Sequence, residues 1–170
     1  SYGHGMSASP LHLATAYAAI ANGGIYLKPT LLKQSGPASG PRVISEATAA
    51  EARAMLRSVV TDGTASLGEV KGYEVAGKTG TADKPKRSGG YYKDKVINTF
   101  ASMYPASNPK YVLIVTLDEP VNTMGARPRR TAGWTAVPVA AEIIRRTSPL
   151  LGLRPQVEVP VQTTLTAASN

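Results

Sequence analysis

The amino-acid sequence predicts an α+β fold in which helices flank an antiparallel sheet. Two helical patterns come first, a run of extended segments follows, and a third helical pattern lies near the end of the chain. Short turns join the extended segments, which favours hairpin pairing over the alternating strands and helices of a parallel sheet. With 170 residues, 42% of them hydrophobic, the chain has the size and composition of one domain or of a large piece of one.

Three helices are predicted from their end signals and their apolar spacing. Ser9-Pro10 places a capping serine before a proline at the first helical position, and Asn22-Gly23-Gly24 ends that helix. Ser45 caps a second helix over 46–60, and a third helix is predicted over 135–146. The side chains expected to face the core are Met55, Leu56, Val59 and Val60 in the second helix and Val139, Ala140, Ile143 and Ile144 in the third, anchored by Trp134.

Three strands are predicted between the second and third helices. The first, over 76–81, is predicted to be an edge strand, and a basic Gly/Pro-rich loop over 83–95 follows it. The second strand covers 96–104. The third, over 111–117, is apolar at nearly every position, so we expect it to be covered on both faces and paired along both edges. Residues 155–170 show no periodic pattern and are predicted to form a flexible tail.

The composition limits the classes of partner and cofactor that the protein is expected to bind. Nineteen basic and eleven acidic residues give a net charge of +8, which fits a nucleic acid, an anionic membrane surface or an acidic substrate. The basic residues cluster at 84–95, 127–130 and 145–154, mostly in Gly/Pro-rich segments. We interpret them as solvated loop charge and expect no nucleic-acid partner. A sequence without cysteine and with two histidines predicts no metal site and no cofactor. No apolar run approaches the ~20 residues of a transmembrane helix.

One segment fits two different motifs. Residues 72–79, which end in Lys78-Thr79, match the phosphate-binding loop of nucleotide-binding proteins, and 112–119 resembles their magnesium-holding strand. Such a loop works because a helix begins directly after the Lys-Thr pair and presents free N–H groups to the phosphates. Pro85 and Gly89-Gly90 interrupt the stretch that follows, so no such helix is expected. A nucleotide-binding module stays the alternative from a different functional class.

The other interpretation places Lys78-Thr79-Gly80 on an exposed edge strand. Side chains alternate along a strand, so Lys78 and Gly80 face one way and Thr79 and Thr81 the other. A cation and two hydroxyls beside an open edge suit a peptide that ends in a carboxylate and adds to the sheet as a further strand. Gly80 has no side chain and lets that peptide backbone approach closely.

The segment Lys78-Thr79-Gly80-Thr81-Ala82 resembles the third motif of penicillin-binding transpeptidases. The likeness extends over residues 1–147 and is closest to the class B penicillin-binding proteins, in particular the cell-division transpeptidases that build septal peptidoglycan. It implies the partial fold of the penicillin-binding protein and serine β-lactamase class. The other segments that are similar to this family are 3–14 with 21–24, 55–60 with 63–65, 98–106, and 108–111 with 118–120.

The family's nucleophile motif does not precede Lys78. The family carries Ser-x-x-Lys and then Ser-x-Asn ahead of its Lys-Thr-Gly motif, and neither occurs there. Ser107-Asn108-Pro109-Lys110 has the right letters, but it follows the motif, and its proline blocks the helix that would place serine and lysine one turn apart. We therefore expect 1–154 to form the C-terminal part of a transpeptidase domain. The resemblance implies that the acylated serine and a bacterial inner-membrane anchor lie in other sequence, with the catalytic domain in the periplasm.

The resemblance also implies roles for individual residues. Lys78, Thr79 and Gly80 are the expected catalytic motif, in which Lys78 supplies positive potential beside the Ser-x-Asn serine. The hydroxyls of Thr79 and Thr81 are expected to bind the carboxylate of the substrate, and the backbone N–H of Thr81 to form one arm of the oxyanion hole. The implied ligands are peptidoglycan stem peptides ending in D-Ala-D-Ala, and β-lactam antibiotics.

Two further expectations concern the partner and the reaction. The implied protein partner is the N-terminal half of the same domain, with self-association of this chain as the alternative. Within the same fold, D,D-carboxypeptidases and penicillin-binding sensors use the same Lys-Thr-Gly motif and stay alternatives to the transpeptidase. These enzymes differ from the transpeptidase in the acceptor of the acyl group.

Overall fold

The computed structural model describes residues 7–125 and 127–156, and within them it shows an α+β fold. The three strands form one antiparallel sheet in the order β1-β2-β3, so the predicted fold class is confirmed. Short 3-10 turns precede β1 and α3. The elements in chain order are α1 (Pro10–Ala21), α2 (Glu46–Thr61), the turn Ser66–Gly68, β1 (Ala76–Pro85), β2 (Tyr91–Tyr104), β3 (Tyr111–Asp118), the turn Ala132–Trp134 and α3 (Ala136–Thr147).

The helix starts follow the predicted caps. The Ser9 hydroxyl accepts a hydrogen bond from the His12 N–H at 3.2 Å, and the His12 Nδ1 accepts one from the Ser9 N–H at 3.4 Å. This reciprocal capping box satisfies two N–H groups that the first helical turn leaves free. The Ser45 hydroxyl accepts from the Thr48 N–H at 3.0 Å at the start of α2. Both caps are confirmed, and His12 has a structural role.

Helix α3 covers one face of the sheet and builds the main core there. The strand register places Thr79, Phe100 and Val115 side by side, so their side chains share that face. Phe100 is fully buried in one apolar cluster with Val137 and Ile144 of α3. Truncation of such a phenylalanine to alanine typically costs about 3–5 kcal/mol, so this contact fixes α3 against the strand that bears the site.

Helix α2 fixes the entry to β1. Arg57 donates a hydrogen bond to the carbonyl oxygen of Val75 at 2.8 Å and forms an ion pair with Glu69. Because Val75 directly precedes β1, these contacts hold the start of the strand against the helix.

The basic segment 83–95 is a hairpin, and its prediction as a loop is wrong. Strand β1 continues to Pro85 and β2 begins at Tyr91, so only 86–90 connect them. Gly89 and Gly90 turn the chain with φ angles of +91° and +71°, which glycine adopts at little cost. The glycines therefore predicted the position of the turn correctly. The two strands extend further toward this turn than their polar residues indicated.

Strand β3 is only partly covered, which corrects the prediction that 111–117 is buried on both faces. Val115 is its one buried residue, and Thr116 and Asp118 are exposed. In the described sheet β3 pairs with β2 alone and forms an edge. An apolar run shows that a strand needs cover, but it does not show whether the same chain provides that cover.

Three side chains predicted to face the core are at the surface. Met55 is 63% exposed, Val139 41% and Trp134 41%. The Arg129 guanidinium lies 3.5 Å from the centre of the Trp134 ring, a cation–π contact on the solvent side. Helical spacing identifies the centre of a buried stripe, here Val60 and Ile144, but not how far the covered arc extends.

The C-terminal end of the described chain returns to the turn before β1. The Gln156 N–H donates to the Gly72 carbonyl oxygen at 2.9 Å. The rest of the tail predicted over 155–170 and the Gly3-His4-Gly5 segment lie outside the described residues. Of the helices that the structure describes, none is long and apolar enough to cross a bilayer.

Candidate active site

Lys78 lies on the open edge strand β1. In the described sheet β1 pairs with β2 alone, and the register sets Lys78 opposite Ala101 and Thr79 opposite Phe100. The predicted alternation of faces is therefore confirmed. Lys78 is exposed, and its Nζ donates to the Thr79 carbonyl oxygen at 2.9 Å. Because Ala76–Pro85 is one continuous strand, no helix follows Lys78-Thr79, and the nucleotide-binding alternative lacks the feature it requires.

The surface over Gly80 is open. A Cβ atom at this position would meet only the Thr99 carbonyl oxygen, at 3.9 Å, among the described residues. Beside it, the Thr99 and Thr116 hydroxyls lie 3.0 Å apart on the same face of the sheet. The strand therefore leaves room for another backbone to approach Gly80, the geometry that strand addition of a peptide needs.

The Thr79 hydroxyl contacts a residue outside the Lys-Thr-Gly motif. Its Oγ1 lies 2.8 Å from the Thr64 Oγ1 in the turn after α2. The Ala65 N–H donates to the Val59 carbonyl oxygen at 3.1 Å and holds this turn against the helix. Thr64 belongs to the segment 63–65 that is similar to the family, but a hydroxyl contact across 15 positions leaves no local sequence pattern.

The Thr81 hydroxyl is engaged by the segment that leads into α3. Its Oγ1 accepts a hydrogen bond from the Ala132 N–H at 3.0 Å. Thr81 is exposed, and its hydroxyl keeps a proton to donate. Carboxylate binding by its hydroxyl and oxyanion stabilisation by its backbone N–H stay predictions. The Ala132 N–H is the neighbour that orients the side chain.

Ion pairs fix the hairpin next to the site. Lys84 Nζ lies 2.7 Å from carboxylate oxygens of both Asp118 and Glu119, and Lys95 Nζ lies 3.0 Å from Glu119. Hydrogen bonds from Lys84 and then Lys95 lower the pKa of the Glu119 carboxyl below its usual range. Hydrogen bonds to Asp118 and Glu119 raise the pKa of the Lys84 ammonium. The end of β3 thus holds the β1–β2 hairpin in place.

Aromatic contacts take up further charge in the hairpin. Lys86 and Lys95 lie over the Tyr92 ring at 5.4 Å and 5.2 Å from its centre. Much of the basic cluster that the sequence shows is therefore engaged within the hairpin. For Lys84, Lys86 and Lys95 these contacts correct the interpretation as solvated loop charge. The motif lysine, Lys78, is the cation at the open part of the strand.

Ser107 is not placed as a nucleophile. It lies in the turn between β2 and β3, where its N–H donates to the Glu74 carboxylate at 3.3 Å. The site that the structure does assemble offers the Lys78 ammonium and the Thr79 and Thr81 hydroxyls on one exposed strand. Such a set holds a carboxylate and orients a carbonyl, and it requires a nucleophile from elsewhere.

An open edge strand that carries Lys-Thr-Gly-Thr, backed by a helix-covered antiparallel sheet, is the arrangement that the resemblance to the penicillin-binding transpeptidases implied. The family model described as the penicillin binding protein transpeptidase domain matches residues 1–145, and the chain belongs to that family. The predicted family is therefore confirmed.

Relatives and solved structures agree with this assignment. The probable peptidoglycan D,D-transpeptidase FtsI of Caulobacter vibrioides is 35% identical to 94% of this chain, which covers 29% of that protein. The apo transpeptidase domain of Burkholderia pseudomallei penicillin-binding protein 3 is 40% identical, with a TM-score of 0.80 over 92% of this chain and 46% of that one. Mycobacterium tuberculosis penicillin-binding protein 3 complexed with ampicillin is 32% identical, with a TM-score of 0.75 over 94% and 38%. The chain thus spans less than half of each.

Proposed function

We propose that this chain forms the carboxylate-binding half of a peptidoglycan D,D-transpeptidase site that acts in septal cell-wall synthesis. The observation that carries the proposal is the exposed Lys78-Thr79-Gly80-Thr81 motif on the open edge of β1. The name of the Caulobacter relative and the ampicillin complex of the tuberculosis protein support the same chemistry. The serine nucleophile then belongs to the other half of the domain.

The proposed reaction divides between the two halves. The serine hydroxyl attacks the carbonyl of the penultimate D-alanine, the peptide bond to the terminal D-alanine breaks, and that amino acid leaves with a proton. An amine from a neighbouring strand then attacks the acyl-enzyme and restores the serine. The Thr79 and Thr81 hydroxyls bind the terminal carboxylate, and Lys78 supplies positive potential beside the Ser-x-Asn serine of the other half. The Thr81 N–H stabilises the negative charge on the carbonyl oxygen of the tetrahedral intermediate.

Labelling with a fluorescent penicillin tests the proposal. We expect the complete domain, with the serine-bearing half present, to be labelled covalently, and unlabelled β-lactam to block the label. Product analysis with D-Ala-D-Ala peptides and an added amine separates cross-linking from simple carboxypeptidase cleavage. Mg²⁺-dependent binding of ATP, with no penicillin label, is the result that rejects this function.

The open edge of β3 supports a protein partner. β3 is an apolar strand that pairs on one side only in the described sheet. Unpaired apolar strand edges readily pair with another chain. We propose that the other half of the domain covers 111–117, and that the isolated chain otherwise associates with itself. Size exclusion with light scattering tests this, and a stable monomer of 17.8 kDa with cooperative unfolding argues against it.

The cellular location follows from the proposed substrate. Peptidoglycan stem peptides are cross-linked outside the inner membrane, so the proposed site faces the periplasm and is held there by an anchor in other sequence. Protease added to intact spheroplasts should degrade the domain. Protection of the domain until the cells are lysed is the contrary result.

A further inference from the structure

A buried asparagine lies directly beneath the predicted carboxylate site. Asn98 of β2 is fully buried, and the strand register sets it opposite Thr81, so the two side chains share the α3 face of the sheet. The amide nitrogen of Asn98 donates to the Arg130 carbonyl oxygen and to the Thr135 Oγ1, both at 2.6 Å. Its amide oxygen is buried and has no hydrogen-bond partner among the described residues.

Packing alone does not account for an asparagine at this position. A buried oxygen without a hydrogen bond destabilises the folded state, whereas an apolar side chain of similar size carries no such penalty. What Asn98 offers, and an apolar residue does not, is a pair of N–H donors. Both donors are directed at the segment 130–135, which joins the loop after β3 to α3.

The same segment is held against the site at two further points. The Ala132 N–H donates to the Thr81 hydroxyl at 3.0 Å. At Gly133 the backbone approaches the Thr64 turn so closely that a Cβ atom would lie 2.5 Å from the Thr64 carbonyl oxygen. Thr64 in turn contacts the Thr79 hydroxyl. The segment 130–135 therefore contains the partner of the Thr81 hydroxyl and lies next to the partner of the Thr79 hydroxyl.

We propose that Asn98 is a positioning residue, which holds the segment 130–135 so that Ala132 orients the hydroxyl of Thr81. This inference rests on the proposed function, because Thr81 matters only if β1 binds the acyl donor. Asn98 itself is buried and does not touch the substrate. It acts through two backbone groups, the Arg130 carbonyl and the Ala132 N–H, and through the Thr135 hydroxyl, which passes the contact on to the Thr131 carbonyl oxygen at 3.1 Å.

The test replaces Asn98 and a matched control in the complete domain. Asn98→Ala removes both donors. Ser102→Ala is the control, because Ser102 is also fully buried, lies on the same strand and face, and bonds to the Leu113 carbonyl oxygen instead of the segment 130–135. Both variants are compared with the unmodified domain below their unfolding transitions, by amide hydrogen exchange at Ala132 and by the rate of acylation with a fluorescent penicillin.

We expect Asn98→Ala to expose the Ala132 amide to faster exchange and to slow acylation by about 10- to 100-fold, since a misplacement of about 1 Å in a site can cost about 100-fold. The loss should appear in the affinity of the initial complex as well as in the first-order acylation rate, because the Thr81 hydroxyl is expected to bind the carboxylate before and during the reaction. Ser102→Ala should change neither readout.

A second pair of variants guards against a failure of Asn98→Ala to fold. Thr135→Val removes the hydroxyl that accepts from Asn98, and Thr135→Ser keeps it. We expect slow acylation in the first and recovery in the second. Equal acylation rates for these two variants, or unchanged Ala132 exchange in a folded Asn98→Ala, overturn the positioning role. An unmodified domain that no penicillin labels overturns the proposed function itself, and this inference with it.

Discussion

Strand β1 contains two glycines, Gly77 in its buried start and Gly80 in the exposed remainder, called here its open half, and the two differ in what a side chain would meet. At Gly77 a Cβ atom would lie 2.5 Å from the Ala101 carbonyl oxygen and 2.8 Å from the Phe100 ring. At Gly80 the nearest described atom would be 3.9 Å away. The fold therefore demands glycine at the first position and tolerates a side chain at the second.

Strand β1 therefore has a short part that packs against its own chain and a longer part that is free to bind a ligand. Ala76 and Gly77 are buried and face their own chain, whereas Lys78, Gly80 and Thr81 are exposed. No contact within the described part of the chain requires a glycine at position 80, so we expect that a molecule bound to this part of the strand requires it. The open half of β1 is therefore where a ligand is expected to bind, and variants along the strand test that division.

The largest expected difference is between this chain alone and the complete domain. The open half of β1 provides binding groups but no nucleophile motif, so the isolated chain should form no covalent adduct with a β-lactam. Intact-mass measurement after incubation with penicillin checks this, with the complete domain as the positive control. A penicilloyl adduct on the isolated chain would show that this chain contains a nucleophile, and it would contradict the assignment of the nucleophile to the other half of the domain.

Lys78→Ala in the complete domain should be the most damaging substitution on the open half. We expect acylation to slow on the order of 100-fold or more, as loss of a preorganised electrostatic group typically does, while the thermal unfolding transition stays in place. Lys110→Ala removes an exposed lysine outside the strands and serves as the control. Normal acylation of Lys78→Ala would refute the role assigned to this lysine.

A glycine pair sharpens the comparison directly. Gly77→Ala should destabilise the domain by about 1–3 kcal/mol, because its Cβ would meet backbone and ring atoms of β2. Gly80→Ala should change the free energy of unfolding by about 0.5 kcal/mol or less, yet slow acylation, since its Cβ would enter the space kept for the ligand. Urea unfolding and penicillin labelling of both variants measure this. Equal effects of the two substitutions on stability would contradict the distinction.

A smaller effect is expected from the partner of the Thr79 hydroxyl. Thr64→Val removes a neutral hydrogen bond of about 1 kcal/mol, so acylation should slow by about fivefold. Thr64→Ser keeps the hydroxyl and should retain the normal rate. The pair is compared by labelling rate at a saturating and a limiting penicillin concentration. A normal rate for Thr64→Val together with a slow rate for Thr64→Ser would mean that the methyl group, rather than the hydroxyl, is what the site needs.

The smallest effect concerns the ion pairs of the hairpin. The pKa of Glu119 is lowered in the folded state, so its contribution to stability is present above the usual pKa of 4.5 and is lost as the pH falls through the lowered value. Glu119→Gln should therefore weaken the acid-side loss of stability, measured by urea unfolding between pH 7 and about pH 3. Glu51→Gln, at an exposed glutamate of α2, is the control. If the free energy of unfolding of Glu119→Gln falls at acid pH as much as that of the unmodified domain, the ion pairs with Lys84 and Lys95 do not stabilise the fold.

The sequence predicted most reliably what depends on neighbours along the chain. The caps at Ser9 and Ser45 and the alternation of Lys78 and Thr79 follow from short-range rules of helix ends and strand geometry. The family likeness was also visible, because its motif occupies consecutive positions. Predictions that depended on which elements pack over a residue were wrong, as for the exposed Trp134 and for 111–117, which is only partly buried.

By itself, then, the sequence determined that Lys78-Thr79-Gly80 lies on a strand with alternating faces and that no helix follows it, since a period of two and the helix-breaking Pro85 and Gly89-Gly90 are local properties. Only the tertiary structure decided which residues surround that motif. The contacts of Thr79 with Thr64, and of Thr81 with Ala132, join positions 15 and 51 residues apart. Such contacts depend on how whole elements pack, and packing is set by complementary surfaces that no single stretch of sequence contains.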